Sequence, residues 1–176
     1  EEAFCGCKSL ASITIPDSVT EIEKYTFASC DKLASVTIGN GVTKIGEYAF
    51  SSCSSLTNIT IPNSVITIDR WAFYECTKLK NVTIGDGVTT IGIFAFQDCW
   101  SLASISLPDS VTTIGNGAFK YNKNLTTLTF EEESNLTSIG DHAFNSTQIS
   151  SLTIPDSVTT IGNNAFYNNQ ISTLIF

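Results

Sequence analysis

Histidine occurs once in the 176 residues, as His142, and methionine not at all. A single imidazole leaves little room for His-based acid–base catalysis or a His metal cluster. Charge is also scarce, at 15% of residues against about 25% in ordinary globular proteins. Only 9 Lys and Arg oppose 17 Asp and Glu, so the net charge is −8. That argues against a nucleic-acid or anionic-membrane partner, which needs a field of Lys and Arg. No apolar run approaches the ~18 residues of a membrane span, so no membrane insertion is expected. No phosphate loop, G-x-S-x-G, H-E-x-x-H or C-x-x-C pair is present. The chain reads as a non-enzyme without catalytic residues, cofactor or metal.

Ser, Thr and Asn fill the gap, together 57 residues, which implies a polar but mostly uncharged surface. Hydrophobic residues reach 42%, enough for a continuous core.

The phenylalanines reveal a repeat. Phe4, Phe27, Phe50, Phe73, Phe96 and Phe119 are 23 residues apart, and Phe144 and Phe166 follow at 25 and 22. Three residues after each comes Cys7, Cys30, Cys53, Cys76, Cys99, Asn122, Thr147 or Asn169. The third copy shows the unit best: Leu56-x-x-Ile59-x-Ile61-Pro62-x-Ser64-Val65-x-x-Ile68-x-x-x-Ala72-Phe73-x-x-Cys76. Eight copies account for nearly every residue. Strict alternation at Ile59 and Ile61 reads as a short strand. Pro62-Asn63-Ser64 in one copy and Gly85-Asp86-Gly87 in the next read as two chemistries for the same bend. Val65, Ile68, Ala72 and Phe73 then fall at 3- and 4-residue spacing, which predicts one or two helical turns.

A 23-residue unit cannot bury its own apolar face, whereas stacked copies can. The expectation is a right-handed α/β solenoid with one parallel sheet of about eight short strands. Helical turns lie on its convex side. Ile15, Ile38, Ile61, Ile84, Leu107, Phe130, Ile154 and Phe176 should form one inward ladder, and the Phe column the spine. Residues 1–176 are read as a single domain of eight repeats. The uncapped ends suggest part of a longer array, with possible end-to-end self-association.

The segments Ile61 to Leu79 and Leu107 to Leu125 carry I-P-x-S-V-T-x-I-G-x-x-A-F-x-x-C-x-x-L with few departures. This pattern resembles the BspA-like class of leucine-rich repeats, found in bacterial and some protist surface proteins. The resemblance implies a secreted or cell-surface, adhesin-like binding module. Its partner would be an extracellular or host protein or a glycan. A structural spacer without its own ligand is the alternative. The repeat departs from itself at Phe130 to Ile139, where two extra residues accompany the run Glu131-Glu132-Glu133.

Five of the six cysteines belong to the repeat and read as a column of buried thiols bonding weakly to loop backbone. In-register Cβ atoms stay about 4.8 Å apart, too far for the ~3.8 Å a disulfide prefers. Cys5 lies outside the column.

Two features are candidate partner-binding surfaces. The position two before each Phe reads Tyr25, Tyr48, Trp71 and Phe94 on four consecutive copies. These rings either half-pack and stack on each other or form an exposed apolar stripe for an interface. The outward face of the sheet carries two ranks of small polar residues. They include Thr37, Thr60, Thr83 and Ser106 in one, and Asn58, Asn81 and Ser104 in the other. Either these simply suit a solvated strand, or the open face binds an extended partner.

Overall fold

The computed structural model describes residues 1–176 and is all β. Eight longer strands recur along the chain: β1 (Ser12–Ile15), β3 (Ser35–Ile38), β5 (Asn58–Ile61), β7 (Asn81–Ile84), β9 (Ser104–Leu107), β11 (Thr127–Phe130), β13 (Ser151–Thr153) and β15 (Thr173–Ile175). Two-residue strands alternate with them: β2 (Glu21–Ile22), β4 (Lys44–Ile45), β6 (Thr67–Ile68), β8 (Thr90–Ile91), β10 (Thr113–Ile114), β12 (Ser138–Ile139) and β14 (Thr160–Ile161). All pairings are parallel and link equivalent positions of neighbouring copies, as in Ile13 with Val36 and Ile59 with Val82. The chain is a parallel solenoid.

The expected single sheet of eight strands is not what forms. The longer strands hydrogen-bond two by two, β1 with β3, β5 with β7, β9 with β11 and β13 with β15. The continuous sheet is the other one, seven strands in the order β14-β12-β10-β8-β6-β4-β2. Proline accounts for part of this. The three breaks occur on entering the coils of Pro62, Pro108 and Pro155, each within two residues of a longer strand's end. Proline has no N–H to donate to the strand before it. In the coil where Glu131 replaces it, Glu131 N–H donates to Leu107 C=O (3.2 Å) and the ladder forms.

The expected helical turns are likewise replaced. A helical turn spends its N–H groups within its own segment. Here alternate amides leave it. Ala49, Ser51 and Cys53 N–H donate three residues back, to Gly46, Tyr48 and Phe50 C=O. Tyr48, Phe50 and Ser52 N–H donate instead to Arg70, Ala72 and Tyr74 of the next coil. This chain of turns requires positive φ two residues before and two after the Phe, as at Tyr48 (55°) and Ser52 (57°).

Fully buried Phe50, Phe73, Phe96, Phe119 and Phe144 form the spine, with successive centroids 5.0–5.4 Å apart and rings within 7° of parallel. Leu56, Ile61 and Ile68 and their equivalents fill the rest of one continuous core. The inward ladder from Ile15 weakens at Phe130, which is half-buried. It fails at Phe176, which is exposed.

Candidate functional site

The thiol column fulfils its structural reading. Cys30, Cys53, Cys76 and Cys99 are fully buried, and each Sγ donates to the Phe carbonyl of the preceding coil at 3.2–3.3 Å. Burial pushes all four thiols up from their ordinary pKa. Where the cysteines stop, Asn122 takes over, donating Nδ2–H to Phe96 and Phe119 C=O (2.9 and 2.8 Å). Cys7 departs from the column's expected burial. It is exposed, as is Cys5, and makes none of the Sγ–carbonyl contacts of the other four.

The aromatic row lies on the turn chain. Tyr25 and Tyr48 stack at 4.7 Å, Tyr48 and Trp71 at 4.8 Å, and Trp71 and Phe94 at 5.5 Å with a 30° tilt. All four residues are half-buried, and all have φ between 53° and 57°. For a bulky L-residue this region costs about 1–2 kcal/mol. Ring stacking returns about 0.5–1.5 kcal/mol per pair. Charges buttress the row. Glu47 accepts from Lys24 Nζ (3.1 Å) and Arg70 Nη2 (2.9 Å). Lys24 lies over Tyr25 and Arg70 over Trp71. Burial raises the Tyr48 phenol's pKa. Burial first, and then the Glu75 carboxylate, raise that of nearby Tyr74 to about 12.

The strand face is different in kind. Thr37, Thr60 and Thr83 are exposed and line one open groove of about 580 Å³. Asn40, Asn63 and Asp86 form its lip. These lip residues belong to the bends, which the sequence marks only as turns. Their spacing from the strand ends was the available signal. Asn63 Oδ1 accepts from Asp86 N–H (3.2 Å), so the lip is also tied from coil to coil. Asn58 and Asn81 stand in the other rank, where Asn81 Nδ2–H donates to Asn58 Oδ1 (2.6 Å). Ser104 and Ser106 continue the two ranks on β9, outside the groove. The four aromatics share no lining with it. The sequence-derived residues therefore fall into two separate surfaces.

The family model described as BspA type leucine rich repeat region (6 copies) matches residues 1–68 and 43–172. No curated protein matches the chain. Several solved structures do. A leucine rich cell surface protein from Faecalibacterium prausnitzii is 32% identical with a TM-score of 0.77, over 94% of this chain and 47% of that one. A leucine-rich repeat protein from Bacteroides ovatus is 31% identical with a TM-score of 0.68, over 92% and 47%. Another from Eubacterium ventriosum is 26% identical with a TM-score of 0.82, over 95% and 45%. This chain spans about half the length of these solved relatives. It belongs to the BspA-type leucine-rich repeat family.

Proposed function

We propose that this member of the family is a non-enzymatic binding module of a secreted or cell-surface protein. It engages an extracellular protein or glycan through its open strand face. The observation that carries this reading is the groove floored by Thr37, Thr60 and Thr83 and edged by Asn40, Asn63 and Asp86. Its hydroxyls and amides both donate and accept, so it suits a hydrogen-bonding partner laid across successive strands. Threonine is stiff at χ1, so little side-chain freedom remains to be lost on binding. The likeness to a bacterial cell surface protein supports the location.

The aromatic row is the second surface in this reading. Its ring faces are already used in stacking, which leaves ring edges for a partner. The groove therefore ranks first.

A spacer role is the other reading, and one observation favours it. The outward positions repeat the same small polar residues from β1 to β13, so few coils are distinguished.

The test is a binding screen of the purified chain against immobilised matrix proteins and a glycan array. Thr60→Arg is run in parallel. A partner retained by the unaltered chain and weakened at least ~10-fold by Thr60→Arg, about 1.4 kcal/mol, supports the groove. Equal binding by both sinks it, and the absence of any partner favours the spacer.

A further inference from the structure

One corner of the solenoid breaks the repeat's own pattern. The position after each column Cys or its substitute reads Lys8, Asp31, Ser54, Thr77, Trp100, Lys123, Gln148 and Gln170. The position before reads Gly6, Ser29, Ser52, Glu75, Asp98, Tyr121, Ser146 and Asn168. Only Trp100 and Tyr121 are aromatic there, and they lie on adjacent coils. Both are exposed, at 46% and 38%. Neither belongs to the buried spine or the stacked row.

The corner is organised. Trp100 Nε1–H donates to Asp98 Oδ1 (2.9 Å), which fixes the indole plane, and Gln97 Nε2–H holds the other Asp98 oxygen (2.9 Å). Asn124 Nδ2–H donates to Trp100 C=O (2.7 Å), joining the two coils. Tyr121 is held at φ 62°, where most other coils place a small or short polar residue. Lys120 Nζ lies 4.7 Å from the Tyr121 ring centroid and Lys123 Nζ 5.5 Å from that of Trp100.

The local charge is opposite to that of the whole protein. Lys120 and Lys123 flank the rings, and Lys78 and Lys80 lie on the preceding coil. That coil is tied on by Ser101 Oγ–H donating to Thr77 C=O (2.8 Å). These four are among only nine cationic side chains in a chain of net charge −8. None of the four is in an ion pair, whereas Lys24, Lys44 and Arg70 all are. Of the nearby acids, Asp98 is engaged by Trp100 and Gln97, and Glu75 accepts from Ser52 (3.3 Å).

We infer that this corner binds an anionic glycan, a carboxylated or sulfated saccharide, independently of the strand face. The exposed Trp100 and Tyr121 rings offer apolar surface to the C–H face of a sugar ring, and the ammonium groups beside them, which pair with no carboxylate, meet its acid group. The size of the patch selects a glycan over an acidic protein. The three coils from Lys78 to Lys123, at ~4.8 Å per step, span about 10 Å, which matches one or two sugar rings. A stable protein interface needs roughly 800 Å² from each partner.

The experiment is calorimetric titration of the purified chain with heparin and with polygalacturonate. Dextran serves as the neutral glycan and polyglutamate as the acidic polypeptide. Binding of at least one anionic glycan is expected, weakening as NaCl is raised. Trp100→Ala and Lys123→Ala should each reduce that affinity at least tenfold with unchanged thermal melts, since both side chains are exposed. Lys32→Ala, an exposed lysine two coils further away, should leave it unchanged. Loss of affinity in Lys32→Ala equal to that in Lys123→Ala overturns the site in favour of diffuse charge. Binding of dextran or polyglutamate as tight as that of the anionic glycans overturns the ligand class. No binding of either anionic glycan at millimolar concentration overturns the inference outright.

Discussion

The Phe94 ring lies over Gly117 so closely that a Cβ at position 117 would stand 2.2 Å from Phe94 Cε1. Gly117 occupies the next coil's row position with φ 61°. The missing side chain lets Phe94 settle onto backbone, and the Trp71–Phe94 pair is the one tilted pair in the row. The row therefore ends by folding down onto its neighbour. Gly117→Ala should displace the Phe94 ring and add left-handed strain, at a cost of about 1–3 kcal/mol. A double-mutant cycle with Phe94→Ala checks it. Coupling above about 0.5 kcal/mol is expected, and strict additivity would contradict the contact.

The spine should respond by position. Phe73 is fully buried and stacked on both sides, at 5.3 Å from Phe50 and 5.0 Å from Phe96. Phe73→Ala should cost about 3–5 kcal/mol in denaturant unfolding. Phe4 is 45% exposed and stacks only on Phe27. Phe4→Ala should cost clearly less, because each coil is stabilised by its neighbours. Equal losses would contradict a one-dimensional stack.

The row carries stability as well as surface. Tyr48→Ser with Trp71→Ser removes two stacked pairs and one tilted pair and should destabilise the fold by about 2–4 kcal/mol. A thermal melt reads this directly. An unchanged melting temperature would mean that the rings contribute contact area for a partner and nothing to the fold.

The buried thiols make stability depend on pH. Their raised pKa means that the folded chain keeps protons the unfolded chain loses above about pH 8.5. Their contribution is therefore complete below that pH and declines as pH rises above it. The denaturant midpoint should fall between about pH 8 and pH 10, and less steeply in Cys76→Asn. Asn122 shows that an amide fits this column and donates to the same class of carbonyl. A midpoint flat across the range would argue against thiol burial.

The same burial governs reactivity. Cys5 and Cys7 should react with a thiol reagent under native conditions, and Cys30, Cys53, Cys76 and Cys99 only after denaturant is added. Counting labels by mass reads the outcome. Rapid labelling of any of the four would refute the column.

The sequence alone determined the coil. The 23-residue recurrence of Phe27, Phe50 and Phe73, with Ile59 and Ile61 alternating before the bend, leaves few ways to bury the apolar positions. The parallel stack, the Phe spine and the buried thiols all follow from that periodicity. Only the tertiary structure decided where the amides point. Whether Phe50 N–H bonds within its turn or reaches Ala72 C=O depends on a neighbouring coil being there to accept. That choice turned expected helical turns into a chain of left-handed and right-handed bends. It also placed Tyr48 and Trp71 in a stacked row. Likewise, the prolines were legible as bends, but their lost donors became gaps in the ladder only once strands stood side by side. Trp100 stands in the sequence only as the residue after Cys99. That it shares a corner with Tyr121 of the next coil, with Lys123 over its ring, required the coils to be stacked, because one-coil neighbours lie 23 residues apart in the chain and about 4.8 Å apart in space.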